Sequence, residues 1–116
     1  MNYATMRRGR PCCARRTCGC VAAYNAHRIH YDLLWATEQE GFPALVVHGP
    51  LVQQALLDYV RDRLGKEQQE NGGVGSFHAR ATAPAWCNEP LTLTGACGDE
   101  AGTFVVRAHG PSGAVV

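Results

Sequence analysis

Long apolar runs are missing from this 116-residue sequence. None approaches the roughly 20 consecutive residues that a membrane-spanning helix requires, so we expect a soluble protein without a membrane partner. Charged residues are also few, at 18%, against 46% hydrophobic residues. This balance and this length fit one globular domain near the lower end of the usual size range, with no room for a second.

Acidic residues are absent from the first 20 positions, which instead carry five arginines: Arg7, Arg8, Arg10, Arg15 and Arg16. The remaining chain holds six basic and ten acidic residues and is mildly acidic. A basic arm on an acidic body can contact nucleic acid. Here, however, Tyr3 is the only aromatic residue in the arm, and no recognition helix is evident. We therefore expect residues 1–20 to be a disordered leader and nucleic acid not to be a partner.

Paired C-x-x-C motifs are absent too, although the chain has six cysteines. Four crowd the leader and two lie far downstream: Cys12, Cys13, Cys18, Cys20, Cys87 and Cys97. The leader spacings suit a tetrahedral zinc site poorly. Nothing resembles a secretory signal, which argues against a disulfide framework. We expect reduced thiols, no bound metal and a cytoplasmic location.

One strongly amphipathic segment is present in the middle of the chain. Apolar residues recur on one helical face at Val52, Leu56 and Val60, while the opposite face is polar. Pro50 suits the first helical position, and Gly65 suits termination. The pattern predicts a helix over residues 51–64 that buries one face.

Shorter segments complete the predicted elements. Residues 28–37 have helical spacing for one or two turns, and residues 44–47 form a brief apolar extension. Three strands are predicted after the long helix, over residues 76–83, 91–97 and 103–109, each bounded by turn residues. Their short connections favour antiparallel pairing. One long helix followed by such strands predicts an α+β fold in which an antiparallel sheet wraps around the helix.

Polar chemistry is concentrated just before the long helix. Two histidines, an asparagine and an aspartate lie within residues 24–32, and Gly49 and Pro50 stand where that helix starts. This density is typical of a functional site. Structural roles stay open at this point, because His30 can be a satisfied core histidine and Asn25 can cap the short helix that follows.

The neighbouring polar residues have structural alternatives as well. His27 can hydrogen-bond the backbone, and Asp32 can act as a cap or a salt-bridge partner. His48 can support the turn into the long helix, and Arg28 can be a solvated surface side chain.

Three segments together carry a resemblance to a known family. They read YNAHRIHYD (24–32), FPALVVHGPL (42–51) and FHARATAPAWCNEPLTLTG (77–95). In this order they resemble the MaoC-like hydratase/dehydratase family, in particular its branch of 3-hydroxyacyl-thioester dehydratases and mesaconyl- or itaconyl-CoA hydratases. The resemblance covers residues 24–116. It implies the hot-dog fold, an antiparallel sheet wrapped around one long central helix, for residues 21–116.

The same resemblance implies the site residues. His30 aligns with the family's catalytic histidine, and Asn25 stands where the general family has an aspartate. His30 is expected to act as the base that activates water, with Asn25 orienting the water or the imidazole. The backbone N–H of Gly49, at the helix N-terminus, is expected to stabilise the thioester enolate. Three residues are expected to bind substrate: Arg28, His48 and Leu51.

The implied function is addition or removal of water at the α,β double bond of an acyl thioester such as an acyl-CoA, in fatty acid metabolism. The protein is then a hydro-lyase without a cofactor. Because the acyl tunnel of such folds lies between two units, we expect a homodimer or a second hot-dog unit as partner. The alternative is a truncated, non-catalytic hot-dog unit that binds acyl-CoA or pairs with a catalytic partner.

The front of the chain departs from the family pattern. The run RRGRPCCARRTCGC stands where the first strand of the fold is expected, ahead of Asn25. This abrupt change of composition indicates a truncated or frameshifted reading frame, with residues 1–20 non-native and an intact first strand lacking.

Overall fold

The computed structural model describes residues 4–8, 25–65 and 70–116. In these residues the chain forms a three-stranded antiparallel sheet with the strand order β1-β2-β3. The strands are β1 (Ala4–Arg8), β2 (Leu91–Cys97) and β3 (Phe104–His109).

The central strand β2 follows from the alternation of its side chains. Leu91 and Leu93 are buried, whereas Thr92 and Thr94 are partly exposed, as expected for a strand with one face on the core. β2 pairs with β3 through the short connection 98–103, so that Leu93 lies opposite Ala108. The last two predicted strands and their antiparallel pairing are confirmed.

The long helix α1 runs from Gly49 to Arg61 and carries Pro50 in its first turn. It begins two residues earlier and ends three residues earlier than the predicted 51–64. At the end, the N–H groups of Arg63 and Leu64 both donate to the carbonyl of Val60, at 2.9 and 3.1 Å. This tightened turn ends the helix before Gly65 is reached.

Two shorter helices precede α1, a 3-10 helix over Arg28–His30 and a π-helix over Trp35–Gln39. Asp32 separates them, because its carboxylate accepts the N–H of Trp35 at 3.0 Å and starts a new helical segment. The single helical stretch predicted over 28–37 is therefore divided, and its second part continues two residues beyond the predicted end, to Gln39.

The core joins α1 to the inner face of the sheet. One buried cluster consists of Tyr59, Leu93 and Ala108, none more than 1% exposed. The other cluster collects residues from the segments before α1 and after residue 84: Ala36, Leu45, Val47, Ala85, Cys87 and Leu91. Val52 and Val116 pack against both clusters. The core is therefore continuous from the sheet to the residues that precede α1.

The strand predicted over residues 76–83 is not formed, so this prediction was wrong. Ala79 and Ala81, which the predicted alternation buries, are exposed. Antiparallel pairing begins only later, at an isolated bridge between Val46 and Trp86. The reason is that alternating alanines offer little apolar area, so the pattern carries little driving force for pairing.

The strand β1 lies inside the 1–20 segment that the sequence presents as a leader. Its backbone pairs with β2 over five positions, with Ala4 opposite Gly95 and Arg8 opposite Leu91. The four cysteines of that segment lie outside the described residues, and so does the expectation that they hold no zinc. The domain boundary at residue 20 stays a prediction.

Two further observations concern the described ranges alone. No three His, Cys, Asp or Glu side chains gather there in a way that could hold a metal ion. None of the helices in those ranges combines the length and the apolar character needed to cross a bilayer.

Gly95 allows the ring of Tyr59 to pack directly on the middle of β2. A Cβ atom at position 95 would lie 2.7 Å from Cε1 of Tyr59 and 3.0 Å from Cγ1 of Val106. Tyr59 is only 1% exposed, so its ring has little space into which it can move. Position 95 therefore requires the absence of a side chain.

We expect Gly95→Ala to lower the free energy of unfolding by about 1–3 kcal/mol, because the added methyl group overpacks the contact with Tyr59. Urea denaturation measures this change. Gly75→Ala is the matched control, since a Cβ atom there meets nothing within 4 Å. Equal stability of the two variants would contradict the packing of Tyr59 against β2.

Candidate active site

The site is built on the extended segment 45–47, which is held from two sides. On one side the N–H of Val47 donates to Ala85 at 2.7 Å, and the N–H of Cys87 donates to Leu45 at 2.8 Å. On the other side, the 3-10 helix forms hydrogen bonds with both the N–H and the carbonyl of Val46. The N–H of Val46 donates to the carbonyl of Ile29 at 3.0 Å, and its carbonyl lies 3.0 Å from Nδ1 of His30.

The contact with Val46 fixes the hydrogen positions on His30. A carbonyl oxygen only accepts, so Nδ1 of His30 must carry the hydrogen and donate it. In the neutral imidazole Nε2 then carries a lone pair. The ring is 7% exposed and is thereby held in the tautomer that a base requires.

Burial lowers the pKa of His30 below its ordinary value of 6.5. The hydrogen bond to Val46 opposes this effect, while the neighbouring His48 and His27 lower the pKa further. Burial has this direction because it disfavours the charged imidazolium. At neutral pH His30 is therefore uncharged and able to accept a proton.

His48 brings a second buried imidazole beside the first. Its ring centroid lies 4.5 Å from that of His30, with the ring planes at 42°, and the residue is 5% exposed. Neither ring nitrogen has a hydrogen-bond partner among the described residues. An unsatisfied buried polar group costs about 1–3 kcal/mol, so this ring is a place where a polar ligand gains a hydrogen bond.

The N-terminus of α1 follows His48 directly. The N–H of Leu51 donates to the carbonyl of His48 at 3.0 Å, and Pro50 has no N–H. Gly49 is exposed, and within the described part of the chain its N–H has no acceptor. A Cβ atom at position 49 would meet nothing within 4 Å. The N–H of Gly49 is therefore available to a ligand, supported by the positive end of the helix dipole.

Asn25 is exposed, and its side chain serves the local turn. Its Oδ1 accepts the N–H of His27 at 3.2 Å. The cap of the 3-10 helix is His27, whose Nδ1 accepts the N–H of Ile29 at 3.4 Å. The backbone role suggested for His27 is confirmed, whereas a catalytic role of Asn25 stays a prediction.

Arg28 belongs to a local surface cluster. Its guanidinium donates to Asp32 at 2.6 and 3.1 Å and lies 4.1 Å from the ring centroid of Trp35. The N–H of Trp35 and the side chain of Arg28 hold the pKa of Asp32 below its ordinary value. The salt-bridging role suggested for Asp32 is confirmed, and phosphate binding by Arg28 stays a prediction.

The structure thus brings His30 and His48 together, with Gly49 next to His48 in the chain, and the ring contact between the two histidines is what sequence reasoning missed. In the sequence, the only indication of this contact is the run His48-Gly49-Pro50. A separate groove of about 1100 Å³ lies towards the other end of α1. Residues such as Leu57, Leu64, Phe77 and Val105 line it, and its lining includes neither histidine.

The fold is shared with a solved structure, the (R)-hydratase from A. caviae involved in PHA biosynthesis. The TM-score is 0.66, and the match covers 98% of this chain and 86% of that chain, at 17% sequence identity. This likeness shows the hot-dog fold, so the predicted α+β hot-dog architecture is confirmed.

Sequence comparison identifies the family. The family model of hydroxyacyl-thioester dehydratase type 2 matches residues 21–87. The chain belongs to this family, and the resemblance found in its motifs is confirmed.

Two curated relatives agree with this assignment. The mesaconyl-C(4)-CoA hydratase of Chloroflexus aurantiacus is 38% identical over 91 residues, which are 78% of this chain and 30% of the relative. The mitochondrial hydroxyacyl-thioester dehydratase type 2 of Schizosaccharomyces pombe is 36% identical over 70 residues, which are 60% of this chain and 22% of the relative. The chain therefore spans less than a third of the length of either relative.

The lowered pKa of His30 makes a prediction about stability. The imidazole of His30 binds a proton less readily in the folded chain than in the unfolded chain. The contribution of His30 to the free energy of unfolding is therefore complete above about pH 6.5 and is lost as the pH falls through the folded pKa. We expect the free energy of unfolding to fall more steeply below pH 6.5 in the wild type than in His30→Asn. Urea denaturation across this pH range measures both slopes.

His78→Asn is the control, since His78 is exposed and this variant keeps the buried His30. It is expected to retain the steep fall of the wild type. Parallel profiles for the wild type and His30→Asn would show that burial does not shift this imidazole.

Proposed function

We propose that this chain adds water to, or removes water from, the α,β double bond of an acyl thioester. The observation that carries the proposal is the neutral imidazole of His30, buried beside the N-terminus of α1 in a member of this family. The names of the two relatives, a hydratase acting on a CoA thioester and a thioester dehydratase, support the same reaction class. The protein is then a hydro-lyase.

The hydration step requires a base and an oxyanion donor. The water oxygen forms a bond to Cβ of the substrate while one of its protons moves to Nε2 of His30. The electron pair of the double bond moves through Cα to the thioester oxygen, where the N–H of Gly49 and the helix dipole stabilise the enolate charge. The carbonyl then re-forms as Cα takes a proton from the imidazolium of His30.

Dehydration is the same sequence in reverse. His30 removes the proton from Cα, the enolate forms against Gly49, and the hydroxyl group at Cβ leaves as water after it takes the proton from His30. Electrons and protons balance in both directions. The buried, neutral state of His30 suits either direction because the base starts and ends uncharged.

An acyl-CoA is the substrate class we propose, with Arg28 and Leu51 at the approach to the site. A second hot-dog unit, either a copy of this chain or a separate protein, is the proposed partner. Large apolar side chains that remain exposed support it, notably Leu33, Leu34 and Phe104 at 52%, 68% and 45%. The cytoplasm is the proposed compartment, supported by the unpaired thiols of Cys87 and Cys97.

The reaction is tested with crotonyl-CoA and mesaconyl-CoA as substrates. We expect His30→Ala to lower kcat by about 10²–10⁴-fold, because the base that activates water is removed. His78→Ala is the control and is expected to keep wild-type turnover. Wild-type turnover no higher than that of His30→Ala would reject the proposal and favour a unit that binds acyl-CoA without catalysis.

Gly49 gives a second test with opposite effects on stability and activity. Gly49→Ala leaves the fold intact, since its Cβ meets nothing within 4 Å, and alanine stabilises a helix over glycine by about 0.5–1 kcal/mol. The methyl group nevertheless occupies space beside the N–H where the thioester oxygen must lie. We expect kcat/KM to fall about 10²-fold, the cost of a misplaced substrate. Gly75→Ala, the control, should keep the wild-type value, and unchanged kinetics in Gly49→Ala would remove Gly49 from the site.

A further inference from the structure

The ring of His48 has no evident structural task. The backbone carbonyl of this residue, and not its side chain, accepts the first hydrogen bond of α1, from Leu51 at 3.0 Å. The side chain makes no capping hydrogen bond. The residue is only 5% exposed, and both ring nitrogens are buried without a partner in the described part of the chain. A core position with no polar partner is ordinarily occupied by an apolar residue.

The position of this ring points to the ligand that would satisfy it. The ring centroid of His48 lies 4.5 Å from that of His30. Nδ1 of His30 already donates a hydrogen bond to the carbonyl of Val46, at 3.0 Å. The two rings are therefore in contact, and a ligand bound to a nitrogen of His48 lies beside His30. A neutral imidazole offers one donor and one acceptor, which match the hydrogen and the oxygen of a water molecule.

We propose that His48 is a second catalytic residue, whose imidazole binds the water molecule that adds to the substrate or leaves it. This inference rests on the proposed function and goes beyond it by assigning the water a site. The ring nitrogen of His48 that carries a lone pair accepts the O–H that is not transferred, while the other O–H of the same water points to Nε2 of His30. The oxygen lone pair is then directed at Cβ of the substrate.

The step balances without a change in the protonation of His48. One water proton passes to His30, the water oxygen bonds to Cβ, and the proton reaches Cα from His30. The hydrogen bond to His48 persists from the water to the hydroxyl group of the product. In the reverse direction His48 receives the departing water. His48 thus holds and aligns the oxygen, whereas His30 moves the proton.

Three variants of His48 test this assignment. His48→Phe keeps a planar ring and removes both nitrogens. His48→Asn places a polar atom near the position of Nδ1, and His48→Gln places one near the position of Nε2. The readouts are the urea denaturation midpoint together with kcat and KM for crotonyl-CoA, measured beside the wild type and His30→Ala.

We expect His48→Phe to be at least as stable as the wild type, since it removes two unsatisfied polar atoms. Its kcat should fall about 10²-fold, the effect of a misaligned reactant, with KM changed less than about threefold because the water is not part of the thioester. One of the two amide variants should recover about tenfold in kcat over the other, and it identifies the nitrogen that binds the water. A purely structural role gives neither the loss in a stable protein nor the difference between the amides.

Other outcomes separate the two proposals. If the wild type is active, His30→Ala is inactive and His48→Phe keeps the wild-type kcat, the assignment of His48 is overturned while the proposed function stands. If the wild type is no more active than His30→Ala, both are rejected. Should His48→Phe fail to fold, the amide pair decides, and equal kcat values for His48→Asn and His48→Gln overturn the assignment.

Discussion

The site depends on one residue, Val46, whose backbone N–H and carbonyl are both held by the 3-10 helix. The carbonyl of Ile29 accepts the N–H, and Nδ1 of His30 donates to the carbonyl, each at 3.0 Å. Because the carbonyl can only accept, this pairing also determines which nitrogen of His30 is basic. His48 lies two residues after Val46, and α1 starts immediately after His48. The backbone of Val46 thus sets the tautomer of His30 and the position of His48.

The site places two polar imidazole rings in the protein interior, where they contribute least to folding stability. His30 is desolvated, which lowers its pKa, and His48 is buried without partners in the described residues. A fully buried large apolar side chain contributes about 1.5–3 kcal/mol, so the two core clusters can offset such unfavourable groups. Val52 and Val116 pack against both clusters, which ties the site to the sheet. Loss of stability at a functional site is a usual compromise between stability and activity.

The sequence predicts those elements whose signal is local. The periodicity of α1 and the alternation in β2 each arise from one face buried on the core, and the start of α1 follows from Pro50. The prediction fails at residues 76–83, because alternating alanines carry the pattern of a strand without its apolar area. It also misses the break at Asp32, where a side chain competes for a backbone N–H. Both outcomes depend on features that hydrophobic periodicity does not weigh: the small apolar area of alanine, and a side chain that accepts an N–H three residues further along the chain.

The candidate site shows the same limit more sharply. The family resemblance singles out Asn25 and His30, yet the side-chain oxygen of Asn25 accepts the N–H of His27 at 3.2 Å. The group that meets His30 is His48, at 4.5 Å between ring centroids, and this contact exists only because segment 45–47 returns along the 3-10 helix. His30, His48 and Gly49 all fall within residues 21–87, the part matched by the family model. The groups that carry the proposed chemistry therefore come from one continuous stretch of this chain.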